Sequence, residues 1–288
     1  PAAVTAGETE DALTIAAGGL TLRFDKLTGD FVSCRHSGEE LFRKPPAPNF
    51  WRAYTDNDRG NKHHERCAVW REAGANRRLI GLWTEAGTNE TSVIVQYELP
   101  TSPVSFCTIR YTISGDGSIH VYFMLDPGNG LPEIPEIGMM FVLSDGFDQI
   151  RWYGKGPHET YWDRACGAKI GLYAGRVAEQ FVPYLRPQEC GNKTEVRWAQ
   201  LTGPRGLSVR FVGDTPLEVN ALPYTPTELE QCDHVYKLPA SDKTVVRVNC
   251  KQMGVGGDNS WGARTHPPYT LYANRSYSYG FTLEIGSN

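Results

Sequence analysis

Side chains able to do chemistry gather in four short stretches of this chain. The first, Asn49-Phe-Trp-Arg-Ala-Tyr-Thr-Asp-Asn-Asp-Arg-Gly60, packs three aromatics, two arginines and two aspartates into twelve positions. Asp56 and Asp58 could open a Ca²⁺ loop with the Asn57 carbonyl, but such a loop needs about six or more oxygens and a bidentate Glu that does not follow at the right distance. An Asp–Arg structural network is the better reading. Just downstream, His63, His64 and Cys67 offer three zinc ligands with no fourth at a plausible spacing.

The second stretch, Trp152-Tyr-Gly-Lys-Gly-Pro-His-Glu-Thr-Tyr-Trp-Asp-Arg164, carries aromatics that could stack on sugar faces (Tyr153, Tyr161, Trp162) beside groups that could bond hydroxyls (Glu159, Asp163, Arg164). The blander reading is that Glu159 and Arg164 tie down a loop whose aromatics cap the core. His158 next to Glu159 suggests an acid/base pair for a sugar epimerase; neighbours on an extended chain face opposite ways, which weakens a direct pairing. The third stretch runs from Phe181 to Trp198, a proline-rich loop in which Glu189, Asn192 and Lys193 could meet a ligand or a neighbouring domain, or simply tether the loop. The fourth is Gly254-Val-Gly-Gly-Asp-Asn-Ser-Trp261, small and polar until it ends in an indole. A flat aromatic on such a loop is suited to a sugar-contacting platform.

Familiar catalytic signatures are missing. The sequence has no G-x-S-x-G elbow, no H-E-x-x-H and no Walker A loop. The glycines at 254, 256 and 257 do not fit a dinucleotide fingerprint, which also needs a βαβ unit. Glycoside hydrolysis usually takes two carboxyls about 5 to 9 Å apart in a sugar cleft, and nothing singles out two of the 33 acidic residues. A binding or scaffolding role is what the residues themselves support.

Composition narrows the partners. With 288 residues, 40% of them hydrophobic, the chain can bury a large core. A net charge of -4 gives no electrostatic footprint for nucleic acid or an anionic membrane. No apolar run approaches the roughly 20 residues of a membrane span, and no signal peptide stands at the start. The seven cysteines never form a C-x-x-C pair, which favours reduced thiols and a cytoplasmic over a periplasmic setting. Because the chain begins at Pro1, it is read as a processed protein or part of a longer one.

The elements that hold these stretches follow from a period of two. Val93, Val95, Tyr97 and Leu99 alternate with Ile94, Gln96 and Glu98; Leu207, Val209 and Phe211 form a second series; Tyr277 to Ile285 form a third. Such alternation marks half-buried strands. Turn clusters such as Ser114-Gly-Asp-Gly117 and Asp126-Pro-Gly-Asn-Gly130 separate them. One short helix is expected, with Thr225 as N-cap and Pro226 at its first position, ending near Cys232. Pro45-Pro-Ala-Pro48 stiffens the approach to Asn49 and is too short for a linker. The reading is one all-β domain over residues 1–288, a mostly antiparallel sandwich with its core from about 13 to 285.

Taken in order, the four stretches resemble the C-terminal domain, or small chain, of family 2 glycoside hydrolases of the large bacterial β-galactosidase type. The match rests on Asn49-Phe-Trp-Arg-Ala with Asp56-Asn-Asp; Gly154-x-Gly-Pro-x-Glu159-x-Tyr with Asp163-Arg164; Pro183-Tyr with Pro187-x-Glu189-x-Gly-Asn192; and Met253-Gly-x-Gly-Gly-Asp258-x-Ser260-Trp261. Asn259, Cys190 and Glu136 depart from the residues common in the family. The resemblance implies an antiparallel β supersandwich of the galactose mutarotase-like kind, following a catalytic (β/α)₈ barrel. It places the catalytic glutamates and the Mg and Na ions on that barrel, so no catalytic residue, metal ligand or cofactor is expected here. It implies that Trp261 contacts the galactoside substrate, that Gly256, Gly257, Asp258 and Ser260 shape its loop, and that the partners are the barrel, other domains of the parent and further copies in a homo-oligomer. A free-standing aldose 1-epimerase, using His158 or His234, and an independent carbohydrate-binding module are the alternatives.

Overall fold

The computed structural model describes residues 3–259 and 261–287. Its strands are β1 Thr5–Glu8, β2 Ala12–Ala17, β3 Leu20–Asp25, β4 Phe31–His36, β5 Glu39–Glu40, β6 Phe42–Asn49, β7 Arg78–Ala86, β8 Glu90–Leu99, β9 Ser105–Ser114, β10 Ile119–Asp126, β11 Glu136–Leu143, β12 Gln149–Gly156, β13 Lys169–Arg176, β14 Lys193–Thr202, β15 Leu207–Leu222, β16 Thr244–Gln252 and β17 Tyr277–Ser287. Three short helices interrupt them: α1 Asp56–Gly60, α2 His63–Arg66 and α3 Pro226–Gln231. The class is all-β, and the three alternating series fall in β8, β15 and β17.

β1 to β5 form a small antiparallel meander. The other strands form one large antiparallel sheet ordered β13-β12-β14-β15-β17-β10-β9-β8-β7, from which β16, β11 and β6 branch. The branch point is the sixteen-residue β15: its first half pairs with β17, and its second half, from Glu218 to Leu222, pairs with β16. One long strand thus feeds two layers.

Aromatic side chains join the layers. Phe24 and Phe31 of the meander stack at 4.7 Å and meet Tyr111 of β9 at 5.3 and 5.5 Å. Phe31 continues to Phe42, Phe42 to Phe141, and Phe141 to Phe211 and Phe281. All are buried, and such ring pairs add about 0.5–1.5 kcal/mol each beyond the area they bury.

The proline cluster is itself a strand. β6 includes Pro45, Pro46 and Pro48 and, among the described residues, pairs only with β11, through a bulged register. Proline lacks the N–H that a second neighbour would need, so an edge strand tolerates it. α3 forms as its residues demand: Thr225 caps it, its side chain accepting from the Glu228 N–H while Glu228 accepts from the Thr225 N–H.

Candidate functional site

The four reactive stretches, far apart in sequence, converge at one end of the branched sheet. The centre of convergence is a buried ionic layer. Arg247, projecting from the otherwise apolar Val245-Val246-x-Val248 run of β16, donates to both oxygens of Glu189 at 2.8 and 2.6 Å and to Glu136. All three residues are buried. Asn220 and Gln252 add donors to Glu189 at 3.2 and 3.4 Å, and Asn49 donates to Glu136 at 2.6 Å. Burial raises the Glu136 pKa to about 8, the Glu189 charge adds to the rise, and Arg247 opposes it. Beside this layer, burial lifts Glu218 to about 7 against the pull of Lys251 at 3.4 Å. Raised carboxyl pKa values suit a general acid, but both side chains lie under the surface with their partners.

A second buried pair holds the glycine loop. Arg52 donates to both oxygens of Asp58, at 3.2 and 3.1 Å, and also to the backbone carbonyls of Met253 at 2.6 Å and Gly254 at 3.0 Å. Burial works against the Asp58 charge, yet Arg52, His63 and the Thr55 cap keep its pKa below the ordinary value. Thus the Asp–Arg network expected in the first stretch exists, with the loop root as its third member. Asn57 donates to the Val255 carbonyl at 3.1 Å, and the Gly256 N–H donates to Asp163 of the second stretch at 2.7 Å. Thr265 returns from the far side to the carbonyls of Gly254 and Gly256.

Closeness, rather than unusual dihedrals, explains the glycines. A Cβ on Gly254 would stand 2.6 Å from the Asp163 carboxylate and 2.7 Å from the Thr265 methyl; on Gly256 it would stand 3.1 Å from Asp163; on Gly257 it would stand 2.8 Å from the Ala263 carbonyl. Asp258 is exposed and bonds His266 at 2.7 Å, and Asn259 accepts the Trp261 N–H at 2.8 Å. Ser260 lies outside the described residues. Trp261, at the end of this tied-down loop, is 92% exposed.

Other candidates fall differently. Tyr161 is buried to 1%, with Arg164 over its ring, so its face is closed to a sugar. Lys251 covers the Trp162 ring, and Tyr153 remains partly open under Arg197. Glu159 is engaged by Arg164, by the Tyr184 hydroxyl at 2.5 Å and by the Gly191 N–H at 2.7 Å. That leaves exposed His158 without its proposed partner, and His234 sits on the surface beside Asp233. Glu189, Asn192 and Lys193 are buried and serve as tethers; Lys193 donates to the Gly191 carbonyl, and burial lowers its pKa to about 8. His63 and Cys67 are both buried and His64 half-buried; His63 stacks on Trp51 at 5.8 Å, and burial lowers its pKa to about 4. Among the described residues, no group of three His, Cys, Asp or Glu side chains is arranged to hold a metal. All seven cysteines are free thiols.

The ionic layer is what sequence reasoning missed. A lone Arg flanked by valines in β16 was its visible signal, since a charge inside an apolar strand must have a partner.

Fold and site together define an antiparallel β-sandwich with a buried ionic layer. The fold is shared with the galactose 1-epimerase of Lactobacillus acidophilus NCFM (TM-score 0.51, 8% identity, 99% of this chain and 98% of that one). It is shared too with part of the α-N-acetylgalactosaminidase of Bifidobacterium bifidum (TM-score 0.51, 12% identity, 95% of this chain and 36% of that one). At these identities the likeness is one of fold alone. The family is more specific: residues 16–283 match the model described as β-galactosidase small chain, and the chain belongs to that family. It is 51% identical over 282 residues to a β-galactosidase of Priestia megaterium, covering 98% of this chain and 27% of the relative. It is also 30% identical to a β-galactosidase small subunit of Latilactobacillus sakei, covering 91% of this chain and 92% of that one. The chain thus spans about a quarter of the length of the first relative, and nearly all of the second.

Proposed function

We propose that this chain works as the C-terminal portion or small subunit of a β-galactosidase, closing the substrate site while another part of the enzyme cleaves the galactoside. The observation that carries the reading is Trp261: an indole 92% exposed on a loop whose root is fixed by Arg52, Asn57, Asp163 and Thr265. An aromatic left open to water by so much anchoring is suited to stack on a sugar ring that arrives from outside. In this reading the indole covers the leaving-group side of the galactoside, Gly256, Gly257 and Asp258 set its reach, and the partners are the catalytic barrel and the other domains of the parent.

The disposition of carboxylates supports the division of labour. Glycosidases place two carboxyls about 5 to 9 Å apart around the scissile bond. Here the acids raised furthest, Glu136 and Glu218, are buried and bonded to Arg247 and Lys251, and Glu230, also raised by burial, is held by the Trp51 indole and by Arg71. What this chain's residues contribute is orientation of the leaving sugar and exclusion of water from one wall. The Mg and Na ions expected for the parent have no part in that contribution.

The test is activity on a chromogenic β-galactoside. The purified 288-residue chain should show no turnover, and robust hydrolysis by it alone would overturn the assignment of catalysis to another part. Combined with the portion that carries the catalytic carboxylates, the Trp261→Ala chain should raise KM by roughly tenfold, the loss expected for one stacked ring. An unchanged KM and kcat would remove Trp261 from the substrate site.

A further inference from the structure

Beside the loop root lies an open cleft of about 230 Å³ to which all four reactive stretches contribute. Asp56 and Asn57 come from the first, Arg164 from the second, Tyr184 and Gln188 from the third and Val255 from the fourth. Its floor is fixed. Tyr161 and Glu189 lie there, both buried, with the tyrosine hydroxyl donating to Glu189 at 3.3 Å and Glu189 clamped by Arg247. At the rim, the Gln188 carboxamide and Asp56 bond reciprocally: Gln188 accepts from the Asp56 N–H and donates to the Asp56 carboxylate, each at 3.1 Å.

Polar capacity remains. Among the described residues, the second oxygen of Asp56 and the carboxamide oxygen of Asn57 accept no hydrogen bond, and Arg164 spends only part of its donor fork on Glu159. The lining thus combines acceptors with a donor, the Arg164 charge already balanced by Glu159. That mixture suits a neutral ligand rich in hydroxyls better than an anion. At about 230 Å³ the cleft is below the ~300–1,000 Å³ of pockets for drug-sized ligands, which limits the occupant to about one ring.

Its position relates it to Trp261. Asp56 and Asn57 begin the short helix α1, while the other end of that segment meets the tryptophan loop: Asn61 donates to the Ala263 carbonyl, and the Gly60 carbonyl lies 3.5 Å from where a Cβ on Gly262 would be. At 1.5 Å per residue, four helical residues separate the two by roughly 6 Å along the axis.

We infer that this cleft is a second saccharide position, taking the distal pyranose of an oligosaccharide whose nearer ring stacks on Trp261; the inference rests on the proposed role of that indole. The ligand class is a neutral, β-linked galactosyl oligosaccharide rather than a disaccharide alone.

The experiment is a ¹H–¹⁵N NMR titration of the 288-residue chain with lactose and with a galactosyl-lactose trisaccharide. Sugar is raised to about 100 mM, enough to half-fill even a site with a Kd in that range. Trisaccharide should shift the Asn57 and Gln188 side-chain signals together with the Trp261 indole signal, and lactose should shift chiefly the indole. A chain with Asp56→Ala and Gln188→Ala should bind the trisaccharide about tenfold more weakly, matching one or two lost hydrogen bonds, while its lactose response stays as before. An indole shift without a response at Asn57 and Gln188 overturns the cleft and leaves the Trp261 reading standing. A cleft response without the indole keeps a sugar site but breaks its link to Trp261. Silence at both, or protection of Gln188 only when the catalytic portion is added, overturns the inference, the latter because the cleft is then a socket for protein.

Discussion

The buried ionic layer and the tip of the glycine loop are joined through the loop root and obey opposite rules. In the layer, Arg247, Glu136 and Glu189 are shut from water, and each has a charged partner at hydrogen-bond distance. At the tip, Trp261 stands almost wholly in solvent, tied through its backbone to Asn259. The root between them, with Arg52 reaching the Met253 and Gly254 carbonyls and Asp163 reaching the Gly256 N–H, passes rigidity from one to the other. The contrast teaches that a polar residue conspicuous in the sequence can serve as foundation, while the surface proposed to meet the sugar is a single apolar ring. Removing part of the foundation should cost folding; removing the tip should cost binding.

Arg247→Met is the most severe break. It leaves Glu136 and Glu189 buried without their guanidinium, and breaking such a buried pair costs about 3–5 kcal/mol. A fall of roughly 10 °C in Tm is expected by calorimetry, and a change of only a degree or two would mean that the layer is not held by its charges.

Next in size is a pH effect centred beside that layer. Glu218, with a pKa near 7 in the fold against an ordinary 4.5, keeps a proton that the unfolded chain has released. Stability from this group is therefore full below about pH 4.5 and is lost as pH rises through 7, by an amount on the order of 3 kcal/mol. Glu136 extends the loss toward pH 8, and His63, lowered from 6.5 to about 4, acts oppositely by removing stability as pH falls through that window. Denaturant midpoints measured from pH 5 to 8.5 should show Glu218→Gln with a shallower alkaline decline than the parent chain. Parallel curves would place the Glu218 titration elsewhere.

Smaller still is the root. Asp163→Asn keeps the shape and weakens a charge-assisted bond to the Gly256 N–H, worth about 1–2 kcal/mol. Faster amide hydrogen exchange at Gly256, with exchange in the core strands unchanged, would show the loop loosening alone. Trp261→Ala closes the series: folding stability should move by less than about 0.5 kcal/mol, as for an exposed site. A larger loss would mean that the indole packs on its own fold and that foundation and tip are not separate.

Much of the fold could be read in advance because alternation is a local code. Val93 to Leu99, Leu207 to Phe211 and Tyr277 to Ile285 each lie in a strand with the apolar set inward, and Thr225-Pro226 starts a helix where capping chemistry requires one. Where local signals mislead, a tertiary partner is the reason. Pro45 to Pro48 become β6 because β11 offers one paired edge and asks nothing of the other. α1 forms inside the first dense stretch because Thr55 and Asp58 cap each other and Arg52 holds Asp58.

Legible along the chain alone are the strand class, the short helix at Thr225, the four stretches that carry the family resemblance, and the placing of an indole after a run of small residues. These depend on periods, caps and ordered motifs, all of which are carried along the chain. It took the folded arrangement to turn Tyr161 and Glu189 inward, to join Glu136 to Glu189 through Arg247, to commit Glu159 to Arg164, Tyr184 and Gly191, and to leave Trp261 in water. Whether a charge is a foundation or a contact depends on its distance from solvent and from its partner. That distance is set by residues far along the chain, 58 and 111 positions away for Glu189 and Glu136 from Arg247, and no local pattern records it.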